Sequence, residues 1–131
     1  MNKVAVIGAG QMGNGIAHVF AARDWDVKLV DVAPAALDKA VATIRGNFDR
    51  QIKKGSASEA QRDAALGRIT IATDLAAVGD REIIIEAATE QEALKFGIFA
   101  ELDRLAPAGA ILATNTSSIS ITTIAAQTKR P

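Results

Sequence analysis

The sequence predicts an α/β domain built on a doubly wound, mainly parallel sheet with helices on both faces. Short apolar, β-branched runs alternate along the chain with longer stretches of helical spacing, and this alternation is typical of a parallel sheet with crossover helices. The first run ends at a cluster of glycines, as expected for a strand buried on both faces. The 131 residues have the length of one domain, so we assign residues 1–131 to a single unit.

Each predicted element has its own local reason. Strands are predicted at residues 3–7, 26–30, 68–72, 82–86 and 110–114, where short apolar runs are bounded by polar or glycine residues. Helices are predicted at residues 11–23, 34–54, 58–66, 92–105 and 119–127, where apolar residues recur every three or four positions. The first helix has Met12, Ile16, Val19 and Phe20 on one face. The second begins with Pro34, which suits a first helical turn, and Ser58 with Gln61 has capping-box spacing. Residues 74–80 are predicted to be a polar connection.

Composition excludes several classes of function. Fifteen Lys and Arg balance fifteen Asp and Glu, so no net field attracts nucleic acid or an anionic membrane. The chain has no cysteine and one histidine, His18, which excludes cysteine or multi-histidine metal sites. Aromatic residues make up only 4%, which is too few for base-stacking platforms. No apolar run approaches the roughly 18 residues that span a bilayer. We expect a soluble, cytoplasmic protein without a metal, nucleic-acid or membrane partner.

The glycine cluster has the spacing of a phosphate-binding turn. GAGQMG at residues 8–13 is G-x-G-x-x-G between a predicted strand and a predicted helix, the context in which this motif binds a dinucleotide. The glycines allow a tight turn, a close approach of the pyrophosphate and close packing of the helix on the strand. The predicted cofactor-binding residues here are Gly8, Ala9, Gly10, Gln11, Met12 and Gly13. The alternative is a glycine-rich turn that binds nothing.

Asp31 indicates which dinucleotide is bound. It ends the second predicted strand, eighteen residues after Gly13, where a carboxylate can accept hydrogen bonds from the adenosine ribose. That carboxylate repels a 2′-phosphate, and residues 32–34 offer no Arg or Lys to bind one, so NAD is favoured over NADP. The alternative is a solvated carboxylate at a strand end. His18 lies in the middle of the first helix, and we interpret it as structural.

A second polar cluster follows the last predicted strand. Asn115, Ser117 and Ser118 lie at the sheet edge that binds ligands in such folds. Their hydroxyl and amide groups can orient a substrate oxygen or a nicotinamide, but such residues also cap helices. From the residues alone both interpretations stay open.

These motifs together resemble one family. IGAGQMGNGIA, Asp31, EAATE at residues 86–90 with Lys95, and ATNTSSISITTIA are similar to the N-terminal domain of the L-3-hydroxyacyl-CoA dehydrogenases, which include the 3-hydroxybutyryl-CoA dehydrogenases. The resemblance implies a Rossmann-type domain with NAD as cofactor. It implies that Glu90, Lys95 and Asn115 lie near the nicotinamide half and that Ser117 adjoins the nicotinamide. It also implies that Ser117 holds the substrate's 3-oxygen as the chain's catalytic residue, and that Lys54 and Asn47 contact coenzyme A. For Lys54 the alternative is a solvated helix end.

The family's activity is the interconversion of (3S)-3-hydroxyacyl-CoA and 3-ketoacyl-CoA, in pathways such as fatty-acid β-oxidation and butanoate metabolism. The resemblance implies that a general-base histidine and a helical dimerising domain follow residue 131. We therefore expect this chain alone to be nearly inactive and the parent to be a homodimer. The alternative is a stand-alone dinucleotide-binding or sensor module without catalysis of its own. A third interpretation, an NADP-dependent reductase of β-hydroxyacids, conflicts with Asp31.

Overall fold

Five parallel strands form the centre of the molecule. The computed structural model describes residues 2–87, 92–106 and 109–114. The strands are β1 (Lys3–Ile7), β2 (Asp26–Val30), β3 (Ile69–Ala72), β4 (Ile83–Glu86) and β5 (Ile111–Thr114), in the spatial order β3-β2-β1-β4-β5. Every pair of neighbours is parallel. Because β1 lies between β2 and β4, the strand order reverses at β1, and this switch point is where open α/β sheets bind ligands.

Helices cover both faces of the sheet. They are α1 (Gln11–Ala22), α2 (Pro34–Lys53), α3 (Glu59–Gly67), a 3₁₀ helix (Leu75–Asp80) and α4 (Glu92–Leu105). On one face, α1, α2 and α3 bury Val4 and Val6 of β1. On the other face, Ala5 and Ile7 pack with residues of the 3₁₀ helix and α4. Successive side chains of a strand point to opposite faces, so β1 contributes to both cores.

The predicted fold class is therefore confirmed, and most boundaries agree within one or two residues. The capping box at the start of α3 is present, since Ser58 accepts from the Gln61 N–H and the Gln61 side chain accepts from the Ser58 N–H. The helix predicted at residues 119–127 lies outside the described residues. The prediction of a polar connection at residues 74–80 was wrong. Residues 75–80 form a 3₁₀ helix that buries Val78, and Asp74 is its N-cap, with a carboxylate that accepts from the Ala76 N–H.

The face of α1 that packs on the sheet also differs from the apolar face that the sequence predicts. Gly13, Ala17 and Ala21 are the buried residues of α1, whereas Met12 and Val19 are more than half exposed, at 56% and 58%. Small side chains allow the helix to lie close to β1, and close approach decides the packed face.

A cluster of charges joins the strands at their amino-terminal edge. This Arg81 cluster consists of Lys3, Asp26, Lys28, Asp80 and Arg81. The Arg81 guanidinium is 2% exposed and donates from Nε and Nη2 to the two Asp80 oxygens, both at 2.8 Å. Its Nη1 lies 3.0 Å from the Asp26 carbonyl and 3.1 Å from the Asp26 carboxylate. Lys28 and Lys3 approach Asp80 at 3.2 Å and 3.6 Å. The cluster thereby holds β1, β2 and the start of β4 together.

Candidate dinucleotide-binding site at the carboxyl edge of the sheet

The turn from β1 to α1 has a conformation that only its glycines permit. Gly8 has φ of 108°, a region that residues with a Cβ rarely adopt. Its N–H donates to the Val30 carbonyl at 2.7 Å, which extends the β1–β2 pairing by one residue. A Cβ on Gly13 would lie 1.7 Å from the Gly8 carbonyl oxygen. The first turn of α1 therefore lies directly against the glycine turn.

The start of α1 presents backbone donors to open space. Gly10 is the N-cap, without a side-chain hydrogen bond, and the first helical bond runs from the Asn14 N–H to the Gly10 carbonyl at 2.9 Å. The N–H groups of the first turn before Asn14 have no helical acceptor, and the helix dipole adds positive potential there. A Cβ on Gly10 would meet nothing within 4 Å. This geometry suits a phosphate or pyrophosphate group.

Asp31 lies beside this turn with a fixed carboxylate. Its Oδ2 accepts from the Ala9 N–H and its Oδ1 from the Ala33 N–H, each at 2.9 Å. Its own N–H donates to the Ala72 carbonyl of β3 at 3.1 Å. The carboxylate is partly exposed, and each of its oxygens has a second lone pair for a ligand hydroxyl.

A cavity of about 880 Å³ opens beside Asp31 at the carboxyl edge of the sheet. Its wall consists of residues from β1, β2, the 3₁₀ helix and α4, among them Gly8, Val32, Leu75, Ile98 and Arg104. Arg104 donates to Glu101 at 2.7 Å on the exposed side of α4. The volume lies in the range of ligand pockets, and a largely apolar wall with a few polar groups is typical of them. The cavity suits the adenosine half of a dinucleotide whose pyrophosphate is at the α1 N-terminus.

The sequence patterns do not predict the cavity wall. Leu75 falls in the predicted polar connection of residues 74–80, and Ile98 falls in the predicted helix of residues 92–105, with no pattern that links the two. The available signal was Asp74 followed by Leu75 and Val78, an N-cap with apolar residues three apart just beyond a strand.

His18 has the structural position that the sequence predicts. Its ring stacks on Phe48 of α2, with centroids 4.2 Å apart and an angle of 12° between the planes. Burial lowers the pKa of the imidazole, which favours the neutral form. Its Nδ1 has no partner among the described residues. The ring belongs to the α1–α2 interface, where it packs on an aromatic ring thirty residues later in the sequence.

The other predicted site residues either lie away from this edge or fall outside the residues that the structure describes. Asn47 and Lys54 are on the second half of α2 and at its C-cap. Glu90, Asn115 and Ser117 lie outside the described residues, as does the side chain of Lys95 on α4. No group of three or more acidic or histidine side chains that suits a metal ion is found in the part of the chain described. Within the same part, no helix has both the length and the apolarity needed to cross a membrane.

The fold and this edge define a dinucleotide-binding domain of the doubly wound class. Sequence comparison then gives the family: "3-hydroxyacyl-CoA dehydrogenase, NAD binding domain" matches residues 3–131, and the chain belongs to it, with NAD as cofactor.

Similar proteins agree with this assignment. A 3-hydroxybutyryl-CoA dehydrogenase of Bradyrhizobium diazoefficiens is 49% identical over 131 residues, which is 100% of this chain and 45% of that protein. The crystal structure of (S)-3-hydroxybutyryl-CoA dehydrogenase from Ralstonia eutropha superposes with a TM-score of 0.96 at 44% identity, covering 99% of this chain and 46% of that one. A 3-hydroxyadipyl-CoA dehydrogenase of Escherichia coli is 40% identical over 98% of this chain and 27% of its own length. The chain thus spans less than half the length of these relatives.

Proposed function

We propose that this chain is the NAD-binding half of an enzyme that interconverts (3S)-3-hydroxyacyl-CoA and 3-ketoacyl-CoA. The observation that carries the proposal is the glycine turn with Asp31 and the cavity at one sheet edge, in a chain whose relatives are named as dehydrogenases of 3-hydroxyacyl-CoA substrates. These relatives do not favour a stand-alone binding module. When bound, NAD supplies the acceptor for the hydride that leaves carbon 3 of the substrate.

Different residues of the chain bind different parts of the cofactor. The N–H groups of Gln11 and Met12 at the start of α1 bind the pyrophosphate. Asp31 accepts from the adenosine ribose with its remaining lone pairs, and the apolar wall with Val32 and Leu75 receives the adenine. Ser117 orients the substrate's 3-oxygen and Asn115 adjoins the nicotinamide; both assignments, like those of Glu90 and Lys95, are carried by the family resemblance.

For the coenzyme A part of the substrate, α2 offers a line of polar side chains. Asn47 and Lys54 are seven residues apart, which places them on the same side of a helix. Arg50 lies between them and donates to the Asn47 side-chain oxygen. The Arg50 and Lys54 cations, together with the Asn47 amide, suit the phosphates of coenzyme A. α2 is about 30 Å long, so a long ligand is needed to reach from Lys54 to the sheet edge.

The remaining proposals concern the whole protein. A further domain supplies the general base and forms a homodimer, as the greater length of the relatives and the family resemblance suggest. A role in fatty-acid β-oxidation or butanoate metabolism accompanies the proposed substrate class. A cytoplasmic location stays a prediction from the composition.

The test measures reduction of acetoacetyl-CoA by the whole protein, with NADH or NADPH as the reductant. We expect kcat/KM with NADH to exceed that with NADPH by at least about tenfold, which corresponds to 1.4 kcal/mol of repulsion between Asp31 and the 2′-phosphate. Asp31→Ala narrows this ratio, whereas Asp38→Ala, on the exposed side of α2, leaves it unchanged. Equal efficiency with both nucleotides contradicts the role of Asp31. Tight NADH binding without turnover contradicts the substrate class.

A further inference from the structure

We propose that Asp31 is a positioning residue for the pyrophosphate, because it holds the glycine turn in the conformation that receives a diphosphate. This role is separate from its contact with the ribose and rests on the proposed function. Its carboxylate joins two turns: Oδ2 accepts from the Ala9 N–H in the β1–α1 turn, and Oδ1 accepts from the Ala33 N–H in the β2–α2 turn. The Asp31 backbone is itself fixed to β3 through the Ala72 carbonyl.

The glycine turn needs such a restraint. Ala9 lies between Gly8 and Gly10, and glycine has more conformational freedom to lose than any other residue. Backbone hydrogen bonds fix the turn on either side of Ala9, at Gly8 and at Gly10. Between them, the Ala9 N–H is held by the Asp31 side chain. Ala9 is 5% exposed, so without Asp31 its N–H has little access to water and the turn must move to find another acceptor.

Electrostatics and positioning predict opposite effects of removing this carboxylate. Asp31 places a negative charge near the proposed site of a diphosphate, and Coulomb repulsion alone predicts that neutralising it strengthens diphosphate binding. If Asp31 holds the turn, neutralising it lowers the fraction of molecules with the receptive conformation, and the apparent affinity falls by that fraction. The sign of the change therefore distinguishes the two effects.

The experiment compares ADP with 2′,3′-dideoxy-ADP, which lacks both hydroxyls that Asp31 would contact directly. Calorimetry measures both dissociation constants for the whole protein, for Asp31→Asn and for Asp38→Asn. Asn has one acceptor oxygen in place of two, so one of the two N–H groups faces an NH₂ donor. We expect Asp31→Asn to weaken dideoxy-ADP binding about tenfold, the size of one lost charge-assisted hydrogen bond.

Asp38→Asn is the control for the loss of one carboxylate. Asp38 is exposed on α2 and is not part of the cavity wall. The Asp38→Asn variant should bind dideoxy-ADP as tightly as the unmodified protein does. Faster hydrogen exchange of the Ala9 amide in Asp31→Asn, at an unchanged unfolding temperature, distinguishes release of the turn from general destabilisation.

Three results overturn the inference or its basis. Dideoxy-ADP binding to Asp31→Asn that equals or exceeds that of the unmodified protein, with faster exchange of the Ala9 amide, overturns the positioning role and leaves the proposed function intact. If the Ala9 amide exchanges at the unmodified rate, the Asn oxygen has kept this hydrogen bond, and Asp31→Ala, which removes both acceptors, is judged by the same criterion. If the unmodified protein binds neither ADP nor NADH, the proposed function itself fails. If Asp31→Asn does not fold, Asp31→Glu replaces it. Glu keeps the charge but carries the carboxylate one carbon farther, so weaker dideoxy-ADP binding supports the role and unchanged binding overturns it.

Discussion

The two edges of the sheet differ in whether their polar groups are hydrogen-bonded to other groups of the protein. At the amino-terminal edge, the Arg81 guanidinium is buried and bonded to Asp80 and Asp26, with Lys28 and Lys3 beside them. At the carboxyl edge, Gly10 caps α1 without a side chain, and the donors of the first turn face open space. Groups that the protein satisfies internally contribute to stability, whereas donors left for a ligand contribute to binding. Substitutions at the two edges should therefore have different consequences.

The largest effect is expected at the carboxyl edge, from Gly13→Ala. Its Cβ would lie 1.7 Å from the backbone oxygen of Gly8, a clash that no side-chain rotation relieves. Either α1 or the turn must shift, so we expect NADH binding to be lost and the unfolding free energy to fall by about 3 kcal/mol or more. NADH fluorescence titration and urea unfolding measure the two quantities.

Gly46→Ala is the matched control, because a Cβ at this position of α2 meets nothing within 4 Å. It should increase stability by roughly 0.5–1 kcal/mol, since alanine is the better helix former, and should leave NADH binding unchanged. Normal NADH binding by Gly13→Ala would contradict the close contact between α1 and the turn.

At the amino-terminal edge, Arg81→Met should affect stability far more than binding. Methionine fills much of the buried volume but leaves Asp26 and Asp80 as neighbouring carboxylates without the guanidinium between them. We expect a loss of about 2–3 kcal/mol in unfolding free energy, less than the roughly 3–5 kcal/mol of fully buried ion pairs because the Asp26 and Asp80 side chains are about half exposed. Arg45→Met, at an exposed position of α2, should change stability by no more than about 0.5 kcal/mol. If Arg81→Met lowers the free energy of NADH binding by more than it lowers the free energy of unfolding, the two edges do not differ in function as stated above.

Local sequence patterns identify the glycine turn and Asp31 at the carboxyl edge but not the Arg81 cluster at the amino-terminal edge. The glycine turn is a contiguous motif, and Asp31 follows a strand at a fixed spacing from it, so both could be identified from the sequence. The Arg81 cluster joins residues 55 positions apart, Asp26 and Arg81, and depends on the register that pairs Lys3 with Asp26. The cavity has the same origin, since its wall combines four separate elements. Neither the register nor the packing distance of α1 is encoded in a local period.

The smallest expected effect concerns acid stability and Asp80. Hydrogen bonds from Arg81, and after them Lys28, hold the pKa of the Asp80 carboxyl well below its usual range. The folded state therefore binds fewer protons at this site than the unfolded state. Its contribution to stability is complete above the ordinary carboxyl pKa of about 4 and is lost as the pH falls below that value. Because Asp80 is about half exposed, at 47%, solvent screens the interaction and we expect only about 1 kcal/mol.

Urea unfolding between neutral pH and about pH 2.5 tests this, since the interval spans the ordinary carboxyl pKa. Asp80→Asn should be less stable than the unmodified protein at neutral pH, and the two should converge as the pH falls, because the variant has no carboxylate to protonate at this position. Curves that stay parallel would mean that Asp80 is not the acid-sensitive group of this edge. NADH affinity at neutral pH should be the same for both proteins, because the Arg81 cluster lies at the opposite edge of the sheet from Asp31 and the glycine turn.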